Sequence, residues 1–381
     1  MSDTFDRRKF LKDSAIKASS VGLLPIFEKE MKITKSYFEK PKPTIYTVPR
    51  IKFSVIGLNH GHINSMVTTT IAAGGEMVSF YSLEDSLAKD FLVKFPNTKR
   101  VSSPEEIYEN NSIQLILCAA ILNERASIGI KAMLHGKDFM SDKPGATTLE
   151  QLEEVKKVQK QTGRIYSILY SERFENRATT KATELVKSGA IGKVIQTIGL
   201  GPHRANFKTR ADWFFDDKKF GGIITDIGSH QFDQFLHFTG STKAEIVASQ
   251  VGNLNHPQYP HFQDFGDAML KGNGGMGYLR IDWFTPDSLK TWGDGRLTIL
   301  GTDGFIEIRK YIDITKDDRG NHLFMSNHKE TVYFDCNNEP LPYGNLFVDD
   351  VLNRTETAMS QDHCFLAMEL ALKAQKLAKR V

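Results

Sequence analysis

The stretch IKFSVIGLNHGH, residues 51–62, decides the fold. Its first six residues are mostly β-branched or aromatic and predict a strand, and Gly57 opens a turn that leads into a helical stretch ending at Ala73. Strand and helix then alternate, with further strands at 77–81, 113–120, 137–141 and 165–170 and helices at 86–95, 124–135 and 148–162. Such alternation is typical of a parallel sheet wrapped by right-handed crossover helices. The sequence therefore predicts an α/β domain with an open parallel sheet at residues 46–170.

The rest of the chain has a different order of predicted helices and strands. Two helical stretches, 178–188 and 224–238, are followed mainly by short strands with glycine-rich turns between them. These predicted strands are 244–251, 268–271, 276–284, 296–300 and 305–309. Amphipathic spacing predicts a last helix at 355–379. We therefore expect a second α/β domain at residues 171–381, with a mostly antiparallel sheet that carries helices on one face.

The charge balance and the cysteines exclude several classes of protein. Lys and Arg total 49 and Asp and Glu total 46, which leaves a net charge of +3 without a dense basic stretch, so we expect no nucleic-acid partner. The three cysteines are scattered and indicate neither a disulfide framework nor a cysteine zinc site. No apolar run reaches the roughly 18 residues that a membrane span needs, so we expect no membrane span.

Residues 1–45 differ from the remainder and are expected to be a leader and linker. Arg7 and Arg8 are followed by Lys-Phe-Leu-Lys, a pattern similar to the twin-arginine export motif. A short apolar segment and a polar linker with two prolines come next. We therefore expect an exported, periplasmic protein, and the alternative is a basic tail on a cytoplasmic one.

The turn after the first strand lies where an open parallel sheet binds a pyrophosphate. Gly57 matches the first glycine of the G-x-G-x-x-G fingerprint, whereas Asn59 and His62 stand at the second and third positions. Asparagine tolerates a positive φ better than most non-glycine residues, so the turn is feasible. We expect Gly57, Asn59, His60 and His62 to face a bound dinucleotide.

The end of the second strand is expected to select the cofactor. An acidic residue about 20 positions further on normally holds the adenosine ribose in NAD enzymes. Ser82 stands at the expected place, and Glu84, two residues later, is either the ribose ligand or an ordinary solvated acid. No basic residue adjoins Ser82 in the sequence to receive a 2′-phosphate. NAD is therefore favoured, and NADP is the alternative.

His60 and His62 also form an H-x-H pair at a strand end. Many metal-dependent hydrolases on (β/α)8 barrels begin in this way, but that architecture needs eight βα units and later His and Asp ligands. The hairpins predicted after residue 240 do not supply them. A simpler alternative is that both histidines cap the turn. We therefore expect no metal.

Three further side chains are suited to catalysis. Lys143 ends the predicted fourth strand, at the sheet edge where ligands bind, and its ammonium can stabilise a developing alkoxide. Asp226 and His230 are four residues apart and so lie on one face of a helix. A carboxylate beside an imidazole orients it and holds its pKa near the working pH, which suits it to move a proton. The alternatives are a surface lysine and a buried polar pair.

Taken in order, these motifs resemble the Gfo/Idh/MocA superfamily, named after glucose-fructose oxidoreductase, inositol dehydrogenase and a rhizopine-catabolism protein, over about residues 50–380. The tripeptide Asp-Lys-Pro at 142–144 is similar to the family's Glu-Lys-Pro, and Asp226 with His230 matches its D-x-x-x-H pair. The resemblance implies a Rossmann domain followed by an open-faced α/β domain. It also implies that His230 is the general acid/base, that Lys143 tunes the substrate hydroxyl beside the cofactor, and that Asp226 supports the substrate and the histidine.

The same resemblance implies a substrate site and an assembly. Arg210 and Trp213 stand where the family often places substrate contacts, and Arg173 and His203 are weaker candidates; each is equally well interpreted as structural. The implied ligands are NAD(P) and a carbohydrate or cyclitol. The implied assembly is a homodimer or homotetramer that covers the open sheet.

Three functions follow as hypotheses. The leading one is the reversible oxidation of a secondary alcohol on a sugar, cyclitol or sugar derivative with NAD(H). The second is a glycosidase or lyase that oxidises its sugar transiently and recycles a tightly held NAD, which would suit an exported protein. The third is a ligand sensor without catalysis, and the joint presence of Lys143, Asp226 and His230 argues against it.

Overall fold

The structure is a computed structural model that describes residues 32–35, 46–316 and 318–381. The twin-arginine-like segment lies outside the described residues, and its role in export stays a prediction. The described residues from Ile33 to Val381 form one compact unit. None of the described helices is long and apolar enough to cross a membrane.

The first sheet is parallel, which confirms the predicted Rossmann-type fold. The first described element is β1 (Lys32–Lys35), a strand of the second sheet. The first sheet and its helices are then β2 (Ile51–Ile56), α1 (Ile63–Ala72), β3 (Gly75–Tyr81), α2 (Asp85–Lys94), β4 (Lys99–Arg100), α3 (Glu105–Tyr108), β5 (Leu115–Cys118), α4 (Arg125–Leu134), β6 (Asp138–Asp142), α5 (Leu149–Thr162) and β7 (Tyr166–Leu169). The spatial order is β4-β3-β2-β5-β6-β7, and all neighbours are parallel. The winding reverses between β2 and β5, and such a reversal creates the crevice in which these sheets bind ligands.

The central strands of this sheet are buried along their whole length. Every residue of β5 and β6 is buried, as expected for parallel strands with helices on both faces. Helix α4 lies close to the sheet at Gly129, where a Cβ would come within 2.5 Å of the Tyr166 ring. Thr148 caps the start of α5 by accepting a hydrogen bond from the Gln151 amide.

The second sheet is large and mostly antiparallel, as predicted. Its elements are α6 (Ser171–Phe174), α7 (Arg177–Lys187), β8 (Val194–Pro202), α8 (Asp217–Phe220), α9 (Ile223–Asp226), α10 (Gly228–Thr239), β9 (Ala244–Gly252), β10 (Phe265–Gly272), β11 (Met276–Asp282), β12 (Arg296–Gly301), β13 (Gly304–Arg309), β14 (His322–Asn327), β15 (Thr331–Asp335), α11 (Tyr343–Asn353), α12 (Gln361–Leu377) and β16 (Lys379–Arg380). The order is β1-β15-β14-β13-β12-β8-β11-β10-β9-β16. From β15 to β16 neighbouring strands are antiparallel, except that β11 is parallel to β8 and β16 to β9.

Strand β8 lies in the middle of this sheet, yet the sequence pattern does not predict it. Gly199, Gly201 and Pro202 lower its apparent strand propensity. The glycines allow α10 to approach closely, since a Cβ at Gly199 would lie 2.5 Å from Oε1 of Gln231. Packing of a helix against the strand, rather than strand propensity, therefore explains the sequence of β8.

The predicted helix at residues 355–379 is wrong in its first part. Helix α12 begins only at Gln361, and residues 355–360 form a loop. The loop is stabilised by the Asp350 carboxylate, which accepts hydrogen bonds from two threonine hydroxyls and two backbone amides of this segment. Ser360 then caps α12.

A buried ion pair joins the end of the first sheet to the second sheet. Glu172 lies in α6, directly after β7, and Lys310 follows β13; both side chains are almost fully buried. Lys310 Nζ donates to Glu172 Oε2, and Gln231 Nε2 donates to the same oxygen at 2.9 Å. Burial alone would raise the pKa of Glu172, but the Lys310 ammonium holds it well below its usual value.

Replacing one partner of this pair is expected to destabilise the fold strongly. Lys310→Met leaves the Glu172 carboxylate buried without a counter-ion, and we expect the free energy of unfolding to fall by about 3–5 kcal/mol. The double variant Glu172→Gln with Lys310→Met removes both charges and should recover most of the loss. Urea unfolding measures all variants. The control is Lys290→Met, which breaks an exposed pair with Asp318; an equal loss in both lysine variants would contradict the assignment.

Candidate functional site

A cavity of about 320 Å³ lies between the two sheets. Its wall is formed by the turn after β2, the end of β6, helix α9 and the loops after β8 and β11. The lining residues are His60, His62, Leu122, Lys143, His203, Arg204, Asn206, Arg210, Trp213, Phe214, Phe220, Asp226, Trp283 and Trp292. Seven of the predicted site residues, drawn from both halves of the chain, therefore meet at one cavity.

Lys143 and Asp226 form a buried ion pair in the wall of this cavity. Lys143 Nζ donates to Asp226 Oδ1 at 2.6 Å, and both side chains are more than nine-tenths buried. Burial would raise the pKa of Asp226, but the adjacent Lys143 ammonium lowers it. Asp226 is thus ionised and pairs with Lys143. The expectation that it would orient the imidazole of His230 is not what the structure shows.

His230 lies in α10, beside the ring of Tyr170, and does not line the cavity. It is buried, and its Nδ1 has no hydrogen-bond partner among the described residues. Burial lowers the pKa of His230 to about 3, against a smaller opposing effect of Glu172. The imidazole is therefore neutral at physiological pH. Its pKa lies well below the value near the working pH that the sequence analysis expects.

Asp142 binds both histidines of the turn after β2. His60 Nδ1 lies 3.0 Å from Asp142 Oδ2, and His62 Nδ1 lies 2.9 Å from Oδ1. Arg125 Nη2 lies 3.2 Å from the same carboxylate, which is fully buried. Burial would raise the pKa of Asp142, but His62 and Arg125 hold it well below its usual value. Burial lowers the pKa of His60 to about 4 in spite of Asp142.

The same three residues have the composition of a metal site. The ligand atoms of His60, His62 and Asp142 lie within 4.8 Å of one another. Sequence analysis names the aspartate only within the tripeptide at 142–144 and does not group it with the histidines, because it comes from another strand. Because the Arg125 guanidinium already supplies a positive charge at this carboxylate, a hydrogen-bonded network accounts for the cluster without a metal ion.

The turn after β2 fits the pyrophosphate of a dinucleotide. Gly57 has a φ of 84°, and a Cβ at this position would lie 2.5 Å from that of Ala120, so only glycine is accommodated here. Helix α1 begins directly after His62, and its N-terminus supplies the backbone amides and the partial positive charge that favour a phosphate.

Three side chains meet at the predicted ribose position. Asn59 Nδ2 donates to Glu84 Oε1 at 2.8 Å, and Ser82 Oγ donates to Glu84 Oε2 at 3.1 Å. Arg100 of β4 donates from Nη2 to the Ser82 carbonyl at 2.9 Å. A basic residue thus lies beside Ser82 in space although none adjoins it in the sequence. These residues fit a dinucleotide, with Glu84 available for a ribose; Arg100, the basic residue beside Ser82, also donates from Nη1 to Asp85 at 2.7 Å.

The four predicted substrate residues separate into two groups. His203, Arg210 and Trp213 line the cavity. Arg173 does not, because its guanidinium forms a buried ion pair with Asp233, with Nε–Oδ2 and Nη2–Oδ1 distances of 2.7 and 2.6 Å. Burial lowers the pKa of His203 to about 4, although Glu172 opposes this.

Sequence analysis missed two of the tryptophans at this cavity. Trp283 and Trp292 line it together with Trp213, and these are the three tryptophans of the whole sequence. Their shared location follows from the β11 and β8 register, which no local pattern reveals. The only available signal is the concentration of all tryptophans within residues 213–292.

The first domain is an open parallel sheet with a glycine turn at a helix N-terminus. It faces a second α/β domain across a cavity that contains a buried Lys–Asp pair. This combination defines a two-domain oxidoreductase of the nicotinamide-dependent type. The chain belongs to the Gfo/Idh/MocA family. Residues 51–170 match the oxidoreductase family with an NAD-binding Rossmann fold, and residues 179–307 match the Gfo/Idh/MocA C-terminal domain.

Known proteins resemble the chain to different extents. An oxidoreductase structure from Erwinia carotovora atroseptica is 45% identical, with a TM-score of 0.85, and the match covers 87% of this chain and 99% of that one. Levoglucosan dehydrogenase in complex with NADH is 17% identical, with a TM-score of 0.70 over 86% of this chain and 98% of that one. The scyllo-inositol 2-dehydrogenase (NADP(+)) of Bacillus subtilis is 27% identical over 47% of this chain and 51% of its own length. The chain thus spans about half of that curated relative.

Glu84→Gln is expected to shift cofactor preference towards NADP(H). The variant keeps an oxygen for Asn59 but removes a negative charge that would repel a 2′-phosphate, and Arg100 is left to bind that phosphate. We expect the ratio of the NADPH to the NADH dissociation constant to fall about tenfold, measured by nucleotide fluorescence titration. Glu153→Gln on α5 is the exposed control. An unchanged ratio in Glu84→Gln would contradict the ribose assignment.

Acidification is expected to destabilise the protein through its buried histidines. The pKa of His203 is about 4 when folded and 6.5 in the unfolded chain, so the unfolded chain binds more protons between these values. The free energy of unfolding should therefore fall as the pH decreases through this window. Urea unfolding at about pH 7 and about pH 5 should show a smaller decrease for His203→Gln than for the wild type. Exposed His135 gives the control His135→Gln, which should follow the wild type.

Proposed function

We propose that this protein catalyses the reversible oxidation of a secondary alcohol on a sugar, cyclitol or sugar derivative, with NAD(H) as the favoured cofactor and NADP(H) as the alternative. The observation that carries the proposal is the buried Lys143–Asp226 pair, which lines the cavity beside the nucleotide turn. The named relatives support the substrate class, since they include dehydrogenases of scyllo-inositol, D-xylose and levoglucosan.

In this proposal the turn at Gly57 and the start of α1 hold the pyrophosphate, and Glu84 holds the adenosine ribose. When bound, the nicotinamide supplies the acceptor for the hydride of the substrate carbon. The protein contributes the position of the alcohol and the removal of its proton.

Lys143 is proposed to bind the reacting hydroxyl. Its Nζ donates one hydrogen bond to Asp226 and has two further protons for the substrate oxygen, on which negative charge develops during oxidation. Asp226 fixes the direction of the ammonium. The same pair supports the reverse reaction, in which the lysine polarises a ketone.

His230 is proposed to accept the proton. Its imidazole is neutral at physiological pH, and its Nδ1 has no partner among the described residues, so the ring has a free position for a proton. It follows Asp226 by four residues, but the helix predicted at 224–238 is divided in the structure, with Asp226 at the end of α9 and His230 in α10. This role rests on the motif and on the chemistry of the imidazole, because His230 is not among the residues that line the cavity.

The outer face of the second sheet supports the proposal of a homodimer or homotetramer. Met269, Tyr278 and Ile198 are paired across β10, β11 and β8, and directly opposed residues share one face of a sheet. Met269 is 51% exposed and Ile198 is 36% exposed. A second copy of the chain would bury this apolar surface.

Substitution of the proposed catalytic residues should reduce turnover, measured on variant protein that circular dichroism shows to be folded. We expect kcat to fall about 10²–10³-fold in Lys143→Met, because the developing alkoxide loses its cation. In His230→Asn we expect a decrease of about 10²–10⁴-fold, because the proton acceptor is lost. The assay follows reduction of NAD or NADP by absorbance with the neutral substrates scyllo-inositol, levoglucosan and D-xylose and with the sugar acid D-gluconate. Lys208→Met, an exposed lysine outside the cavity wall, is the control, and unchanged turnover in His230→Asn would refute its role.

A further inference from the structure

The guanidinium of Arg210 is held rigidly in the cavity wall. Its Nε donates to the Ala205 carbonyl at 2.9 Å. Its Cζ lies 4.4 Å from the centre of the Phe214 ring and 5.0 Å from that of Trp283. The backbone bond and the two aromatic rings fix the plane of the guanidinium, so that its terminal nitrogens have a defined position.

Within the part of the chain that the structure describes, this guanidinium has no carboxylate partner. Among the described residues no carboxylate oxygen lies within 4.0 Å of Arg210, whereas the buried Arg125 and Arg173 each have an aspartate at 3.2 Å or less. Burial lowers the pKa of Arg210, and the charge of Asp226 only partly opposes this. A partly desolvated cation with unused donors is a costly arrangement for a fold to keep without a ligand.

The other charges of the cavity do not compensate for Arg210. Asp226 is the one acidic residue of the described lining, and Lys143 already neutralises it. Burial lowers the pKa values of His60 and His203 to about 4, which leaves both rings neutral at physiological pH.

Arg204 adds a second positive charge to the wall. Its Nη2 is bound to the carbonyls of Pro286 and Leu289, and its ionic partner Asp287 lies 3.7 Å away and is fully exposed to water. Water screens that exposed charge. The cavity therefore has an excess of positive charge.

We propose that the substrate is a sugar acid, whose carboxylate binds the guanidinium of Arg210. A planar guanidinium matches a carboxylate with two parallel hydrogen bonds, and the flat faces of Trp213, Trp283 and Trp292 provide surfaces for a sugar ring. This inference rests on the proposed function, because it names the class of substrate for the same site. It adds a charge requirement that the neutral inositols and levoglucosan would not meet.

Tryptophan fluorescence gives a direct measure of binding at this cavity, because all three tryptophans of the chain line it. The probes are D-glucuronate and D-gluconate, with D-glucose and D-sorbitol as their neutral counterparts, titrated into the full chain with and without NADH. We expect the dissociation constants of the two acids to be at least about tenfold lower than those of the neutral sugars, the effect of a hydrogen-bonded charge pair. Equal affinities would overturn the proposal.

Two variants test the residue itself. Arg210→Gln should remove the preference for the acids, and Arg210→Lys, which keeps the charge, should retain part of it. Lys208→Gln, an exposed neighbour, should leave it unchanged. Circular dichroism verifies the fold, and the conservative lysine variant keeps the test valid if the glutamine variant does not fold.

The remaining outcomes separate this inference from the proposed function. Arg210-dependent binding of glucuronate without turnover would support the inference and contradict the oxidoreductase proposal. Weaker NADH binding in Arg210→Gln, with no loss of preference for acids, would assign Arg210 to the cofactor pyrophosphate and overturn the inference. Arg210-dependent binding of glucose 6-phosphate but not of glucuronate would overturn it as well, in favour of a sugar phosphate.

Discussion

The ion pair between Lys143 and Asp226 is the interaction on which the candidate site depends. Lys143 follows β6 of the first sheet, and Asp226 ends α9, which packs against β10 and β11 of the second. Removing a charge from water costs several kcal/mol unless a partner is present, so each residue requires the other half of the chain to be in place. The pair thereby fixes the separation between the nucleotide turn and the substrate wall. A displacement of about 1 Å can cost about 10²-fold in rate, so this separation matters for catalysis.

The turn after β2 shows how the chain tolerates the loss of two fingerprint glycines. The side chain of Asn59 is bound to Glu84, and those of His60 and His62 are bound to Asp142. Each added side chain therefore has a partner on a neighbouring strand end. Asp142 is the last residue of β6, and Lys143 follows it directly. The end of β6 therefore positions both the turn, through the carboxylate of Asp142, and the lysine. In other sheets of this type, close packing at the fingerprint glycines makes this turn rigid. Here a hydrogen-bonded network of side chains makes it rigid instead.

Periodicity in the sequence was sufficient to predict the parallel sheet, because strands such as β5 are continuous apolar runs and the helices between them have clear ends, as at Gly163. The D-x-x-x-H pair and Lys143 were recognisable because their spacing is local. The sequence did not reveal the roles of Arg100 and Trp283 or the partner of Asp226, because the position of each of these side chains depends on the pairing of distant strands. The loop at 355–360 escaped prediction for a related reason: its helical spacing is overridden by hydrogen bonds to the Asp350 carboxylate.

The electrostatics of the cavity link its charge to its proton chemistry. Burial keeps His60, His203 and His230 neutral, and the positive charge of Lys143 lowers the pKa of all three further. A neutral imidazole with such a low pKa is a weak base, so an empty cavity is poorly prepared to accept a proton. A carboxylate bound at Arg210 would act in the opposite direction, because nearby negative charge favours the protonated ring. In the proposed reaction a negatively charged substrate would thus raise the basicity of the group that takes its proton, and a neutral sugar would not.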